Sequence, residues 1–215
     1  MEGIKKMEPT AGIQGLPAQN REEKDHFAPS AFSTNRKKTM MWVFIISDAL
    51  LFGTFLAVYT FERFISPTWP DRWKIFDPGY LAVMTVVLLS SSTFMATAVE
   101  GLKQGKMKRF GFFYTITILC GIGFLGMQAH EWAHFIGLGA RLNTNPWGVP
   151  LFSGLFFMIT GFHGFHVLTG VLILSFIGIL KAVGKVSDDT IELAGMYWSF
   201  VDLVWVFILA VIYLL

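Results

Sequence analysis

One cysteine and very little charge set the first limits on this chain. Cys120 stands alone among 215 residues, so no disulfide can close within the chain and no cysteine cluster can hold zinc or an iron–sulfur centre. Charged residues make up 15% of the sequence and hydrophobic ones 53%, whereas a water-soluble domain carries about a quarter charged. That shortage points to lipid as the main solvent. The net charge of +2 is too small to draw nucleic acid, and the basic residues come in short runs between apolar stretches, a pattern that sets membrane orientation. The strand-like alternation of a transmembrane barrel is missing as well. So are internal repeats and a second water-soluble domain.

Residues 1–38 read as a polar, flexible tail. Charged side chains from Glu2 to Asp25 alternate with Gly3, Pro9, Gly12, Gly15, Pro17 and Pro29, with no apolar periodicity to offset the entropy of ordering. The tail does not read as a signal peptide, because the first long apolar run begins only after Arg36-Lys37-Lys38. Residues 39–215 then contain five apolar runs, near 39–62, 78–100, 110–134, 151–180 and 194–215. Each is long enough to cross a hydrocarbon core of roughly 30 Å as a helix. Pro78 suits the first position of its helix, where a missing N–H costs nothing. The expected fold is an all-α membrane protein, a bundle of five transmembrane helices.

Lysine and arginine orient it. Seven lie in the tail, four between residues 101 and 109 (Lys103, Lys106, Lys108, Arg109) and two between 181 and 193 (Lys181, Lys185). The other side has Arg63, Arg72, Lys74 and Arg141. Thirteen against four places the N-terminus inside and the C-terminus outside. Trp69, Trp73 and Phe76 in the outer 63–77 loop suit an aromatic belt at headgroup level.

Ionisable groups inside a span are costly and so mark candidate sites. Asp48 lies about 12 Å into the first helix; it reads as a proton-linked or lipid-facing carboxyl, or as a neutral Asp bonded to a neighbouring helix. His163 and His166 share one face of the fourth helix at i,i+3 spacing. Gly161, Gly164 and Gly170 allow close helix approach there, which favours hydrogen bonding across a tight interface over metal ligation. Asp202 takes the same reading, beside Tyr197 and Trp198. His130-Glu131-Trp132-Ala133-His134 matches H-E-x-x-H, the helical zinc motif of metalloproteases. Catalytic zinc needs a third protein ligand, and Ala140 stands where a related motif would place it.

Several of these segments together resemble subunit III of the heme-copper respiratory oxidases. Residues 41–53 resemble its helix with an acidic residue after Ile-Ser or a similar pair, which falls on Asp48. Gln128 and Glu131 fit Q-x-x-E-[YW]. Thr160-Gly161-Phe162-His163-Gly164-Phe165-His166, followed by Val167 and Gly170, fits T-G-F-H-G-x-H-V-x-x-G. Glu192, followed by Tyr197-Trp198-Ser199-Phe200-Val201-Asp202, Val204 and Trp205, resembles E…Y-W-H-F-V-D-x-V-W. The likeness runs from about residue 36 to the end. Ser199 departs from the family's usual His, and five helices rather than seven correspond to the shorter bacterial forms.

The resemblance implies an accessory subunit without cofactors, catalytic residues or metal ligands of its own, in the bacterial cytoplasmic membrane. Its partners would be the catalytic subunit I, which carries hemes and copper, the other oxidase subunits, membrane lipids including a bound phospholipid, and in some settings a respiratory supercomplex. The complex would reduce O2 to water with proton pumping. This subunit would support proton uptake, stability and lipid or oxygen access. Asp48, Gln128, Glu131, His163, His166, Glu192 and Asp202 are its expected buried polar or lipid- and proton-linked residues, and Gly161, Gly164, Gly170, Trp198 and Trp205 its packing residues. Rival readings are an intramembrane zinc protease built on His130, Glu131 and His134, an accessory protein of a nitric-oxide reductase, and a small transporter using Asp48, His163 and His166.

Overall fold

The computed structural model describes residues 19–215, with side chains from Arg36 onward save those of Trp73 and Pro150. The helices are α1 (Gln19–Ile65), the short α2 (Arg72–Ile75), α3 (Pro78–Lys103), α4 (Met107–Gly137), α5 (Pro150–Ala182) and α6 (Asp188–Ile208). A π-helical segment, Leu209–Leu214, continues α6. Five of these helices are long and apolar enough to cross a membrane. The chain divides into two units, Met1–Met40 and Met41–Leu215. Of the expected tail, residues 1–18 lie outside the described residues, and from Gln19 the backbone is already helical and runs unbroken into the first span.

Every spanning helix extends beyond its apolar run. α6, for example, starts at Asp188 rather than near residue 194, which draws Glu192 into the helix. Apolarity marks the stretch that lipid requires. Hydrogen bonding within the helix carries on into polar sequence until something stops it. At the two turns richest in lysine, that stop is a glycine. Gly105 and Gly184 adopt φ +70° and +72°, a conformation open to a residue without Cβ. In each case the next N–H reaches back to close the helix end, Lys106 N to Gly101 O at 2.9 Å and Lys185 N to Leu180 O at 2.9 Å. At the opposite end Asp77 caps α3, its carboxylate accepting from Gly79 N at 2.8 Å, with Pro78 in the first turn.

α3 packs against α4 and α6, and α5 against the same two, so these four form a closed ring of antiparallel neighbours. Its core includes Trp198, Trp205, Phe124, Met84 and Leu88, all fully buried. From Met41 onward α1 lies against this ring through side chains: Phe44 meets Tyr197, Phe52 and Phe55 meet Phe162, and Tyr59 meets Phe152. The expected aromatic belt is rearranged. Phe76 is buried and stacks on Phe135 at 5.7 Å, and Trp69 packs edge-on against Tyr59 and Phe152. With lipid on the outside, aromatic surface is free to fill gaps between helices.

Candidate functional site

Burying a polar side chain in a membrane protein is tolerable when another helix satisfies it. Most of the buried polar residues singled out from the sequence obey that rule, and among the described residues they fall in four clusters, each joining a different pair of elements.

Between α3 and α6, Ser92 Oγ donates to Asp202 Oδ2 at 2.5 Å, and Ser91 Oγ lies 3.2 Å from the same oxygen. Trp198 Nε1 donates to Ser91 Oγ at 2.8 Å. Trp198 and Asp202 are four residues apart and so reach one patch of α3. One turn further, Trp205 Nε1 donates to Thr85 Oγ1 at 3.2 Å. The expected packing roles of Trp198 and Trp205 therefore come with a polar one.

Between α4 and α5, Gln128 Nε2 donates to the carbonyl of Thr160 at 2.5 Å, and Trp132 Nε1 donates to Thr160 Oγ1 at 3.1 Å. The glycines of the motif make this possible. A Cβ at Gly161 would stand 2.9 Å from the Trp132 ring, and one at Gly164 would stand 2.8 Å from Gln128 Oε1. Gly170 serves α6 instead, where a Cβ would lie 3.0 Å from the Trp198 ring.

Between α1 and α5, Asp48 Oδ1 sits 3.3 Å from His166 Nε2. His166 Nδ1 faces the carbonyl of Phe162 at 2.8 Å. A carbonyl only accepts, so Nδ1 carries a hydrogen. The proton between Nε2 and Asp48 then resides on either partner without changing the pair's total charge. Tyr197 OH donates to the carbonyl of His166 at 3.1 Å, which ties α6 to the same turn.

The fourth link is Tyr213 OH donating to Glu131 Oε2 at 3.0 Å; both side chains are buried. Glu192 is more open, with Oε1 3.6 Å from Lys103 Nζ.

His163 differs from all of these. It is fully buried, and neither ring nitrogen has a hydrogen-bond partner among the described residues. Its ring lies nearly parallel to Trp205 at 5.4 Å and edge-on to Phe124 at 5.7 Å, with Phe52 of α1 at 6.4 Å. The expected hydrogen bond across the interface is thus made by His166 and not by His163, whose i,i+3 spacing places it one turn away and into an aromatic box.

The H-E-x-x-H stretch does not assemble a hydrolytic centre. His130 and His134 are exposed, while Glu131 is buried and committed to Tyr213. Ala140, the position for a third ligand, is itself in the core. Among the described residues no three His, Cys, Asp or Glu lie close enough to share a metal ion.

The polar partners are what sequence reasoning missed. Ser91, Ser92, Thr85 and Tyr213 each complete a link, and the hydroxyl run at 90–93 in mid-helix was a visible signal for the first two.

Known proteins are similar to this chain over most of its length. A family model described as cytochrome c oxidase subunit III matches residues 28–215. Quinol oxidase subunit 3 of Bacillus spizizenii is 33% identical over 181 residues, covering 81% of this chain and 84% of that protein. Cytochrome c oxidase subunit 3 of Thermostichus vulcanus is 32% identical over 177 residues, covering 80% and 84%. The probable quinol oxidase subunit 3 of Staphylococcus aureus is 31% identical over 182 residues, covering 83% and 88%. With a family match over most of its length and five membrane-length helices to carry it, this chain belongs to the subunit III family of the heme-copper oxidases.

Proposed function

We propose that this subunit III brings no redox group of its own and works as an accessory, non-catalytic partner of subunit I during reduction of O2 to water. The observation that carries this reading is the commitment of the interior polar groups. Asp48, Gln128, Glu131 and Asp202 each bond to a different helix or to the terminal π-helical segment, an arrangement suited to fixing helices against one another. The apolar surface left outside, including Leu50, Phe61, Leu172 and Phe176, suits lipid and the helices of other subunits.

The lysine and arginine bias supports an N-terminus on the cytoplasmic side of a bacterial inner membrane, where the lysine-rich turns would face proton uptake. A bound phospholipid has a natural place here. A groove of about 530 Å³ between α1, α3 and α6 is walled by Trp42, Ile45, Met95 and Leu203 and includes the Lys103–Glu192 pair. Apolar walls suit an acyl chain and the ion pair a headgroup.

The test is to purify the oxidase from cells lacking this chain. Heme spectra and the initial rate of O2 consumption should persist, while activity should decline during sustained turnover. Loss of the hemes, or turnover as durable as that of the intact complex, would refute the accessory role.

A further inference from the structure

We propose that His130 and His134 form a two-imidazole site for a divalent transition-metal cation at the end of α4. The sequence placed these histidines in a zinc motif, and the fold takes the motif apart in an informative way. Four residues apart on one helix, the two imidazoles lie on the same face, about 5–6 Å apart at Cβ. Both are exposed, whereas Glu131 between them turns inward and accepts from Tyr213. The pair keeps its ligands and loses its general base. A cation held there has two nitrogen donors, with water to complete its shell, and no carboxylate positioned to activate that water.

A second feature readies the site. The His130 ring packs against the Tyr80 ring at 5.6 Å. Tyr80 is itself held by its hydroxyl, which donates to the carbonyl of Met127 at 2.9 Å. With a neighbour fixed on one side, His130 has fewer directions to point, so less entropy is lost when a metal bridges to His134. The other described histidines do not compete. His163 is sealed among aromatic rings, and His166 is engaged by Asp48 and the carbonyl of Phe162.

Imidazole donors select copper, nickel and zinc over calcium and magnesium. The site therefore takes Zn²⁺, which has no redox chemistry, and leaves Mg²⁺ alone.

The experiment uses the whole oxidase complex, purified without a histidine tag, and equilibrium dialysis against radioactive Zn²⁺ in excess Mg²⁺. His130→Ala and His134→Ala should each lose one bound equivalent, or weaken it about tenfold or more, because one imidazole no longer raises the effective concentration of the other. Glu131→Gln should retain it, since an amide also accepts from Tyr213. Heme spectra and thermal aggregation confirm that each variant remains assembled. Zinc uptake unchanged in both histidine variants would overturn the proposal. So would loss of zinc in an assembled Glu131→Gln complex, or displacement of zinc by Mg²⁺. The readout is metal bound, not oxygen consumed, so it stands apart from the accessory role proposed above.

Discussion

The apolar 18-residue stretches of α1 and of α6 with its π-helical continuation have the same mean hydropathy, 2.0, yet 56% of the second is buried inside the protein and only 17% of the first. Hydropathy reports that a segment prefers lipid to water. It does not report whether the segment's neighbours are lipid or protein, because lipid tails are as apolar as leucine and give helices no hydrophobic reason to associate. The difference comes from shape and polar bonding. α6 carries Tyr197, Trp198, Phe200, Val201, Asp202, Val204 and Trp205, all buried, and reaches α3 and α5 together. α1 turns one stripe inward, Met41, Ile45, Asp48, Phe52, Phe55 and Tyr59, and leaves Val43, Ile46, Leu50, Leu51, Val58 and Phe61 exposed. α6 is the member the ring closes on, and α1 is laid against it.

If that contrast is right, damage near α6 should abolish the bundle. A Cβ at Gly121 would lie 2.6 Å from the Trp198 ring and 2.7 Å from Val171 Cγ2, and both neighbours are buried. Gly121→Leu should give no folded subunit in membranes. Gly121→Ala should cost about 1–3 kcal/mol as overpacking, read as a lower thermal aggregation temperature of the purified complex. Normal yield of Gly121→Leu would show that α6 is not the keystone.

Next in size is Asp202→Ala, which removes the acceptor shared by Ser91 and Ser92. Roughly 1–2 kcal/mol should be lost, an interhelical hydrogen-bond network in the membrane being worth no more than that. Asp202→Asn, which keeps one carbonyl oxygen, should recover most of it in the same thermal assay.

Phe52→Ala should affect α1 alone. Phe52 meets Phe162, His163 and His166, and an aromatic pair such as Phe52–Phe162 contributes about 0.5–1.5 kcal/mol beyond its buried area. Protease cleavage in the 66–71 loop should rise several-fold while the thermal transition of the ring shifts little. A collapse of the whole subunit would erase the distinction between the two helices.

Much of this fold was legible because lipid imposes simple demands. Five apolar runs gave five spans, and their errors all lay at the ends, where hydrogen bonding within the helix outlasts apolarity. The α1 stripe was also open to reading, since 41, 45, 48, 52, 55 and 59 follow alternating steps of four and three. The site was legible only by halves. A buried acid announces itself in a hydrophobic run, but its partner is an ordinary serine, threonine or tyrosine on a helix far away in sequence, such as Tyr213 for Glu131. His163 and His166 look alike in the sequence, and only the positions of Asp48 and Trp205 separate a bonded imidazole from a caged one.

The smallest expected effect bears on the polar link that ties the middle of α1 to α5. Asp48 is buried, His166 is partly buried, and the two lie 3.3 Å apart; the pair exists either as two ions or as two neutral groups sharing the same proton. Breaking a buried ion pair by neutralising one member leaves the other charge stranded, at a cost of about 3–5 kcal/mol. Breaking a neutral link between membrane helices costs on average about 0.6 kcal/mol. Asp48 Oδ2 has no partner among the described residues. An unpartnered buried oxygen costs a neutral carboxyl less than a carboxylate, and Asp48→Asn tests the neutral form. Asp48→Asn keeps the shape and offers an N–H to the bare Nε2. It should therefore leave assembly and the thermal transition within about 1 kcal/mol of the parent. A loss of several kcal/mol would mean that α1 is held by charge, and that its attachment is far stronger than its exposed surface suggests.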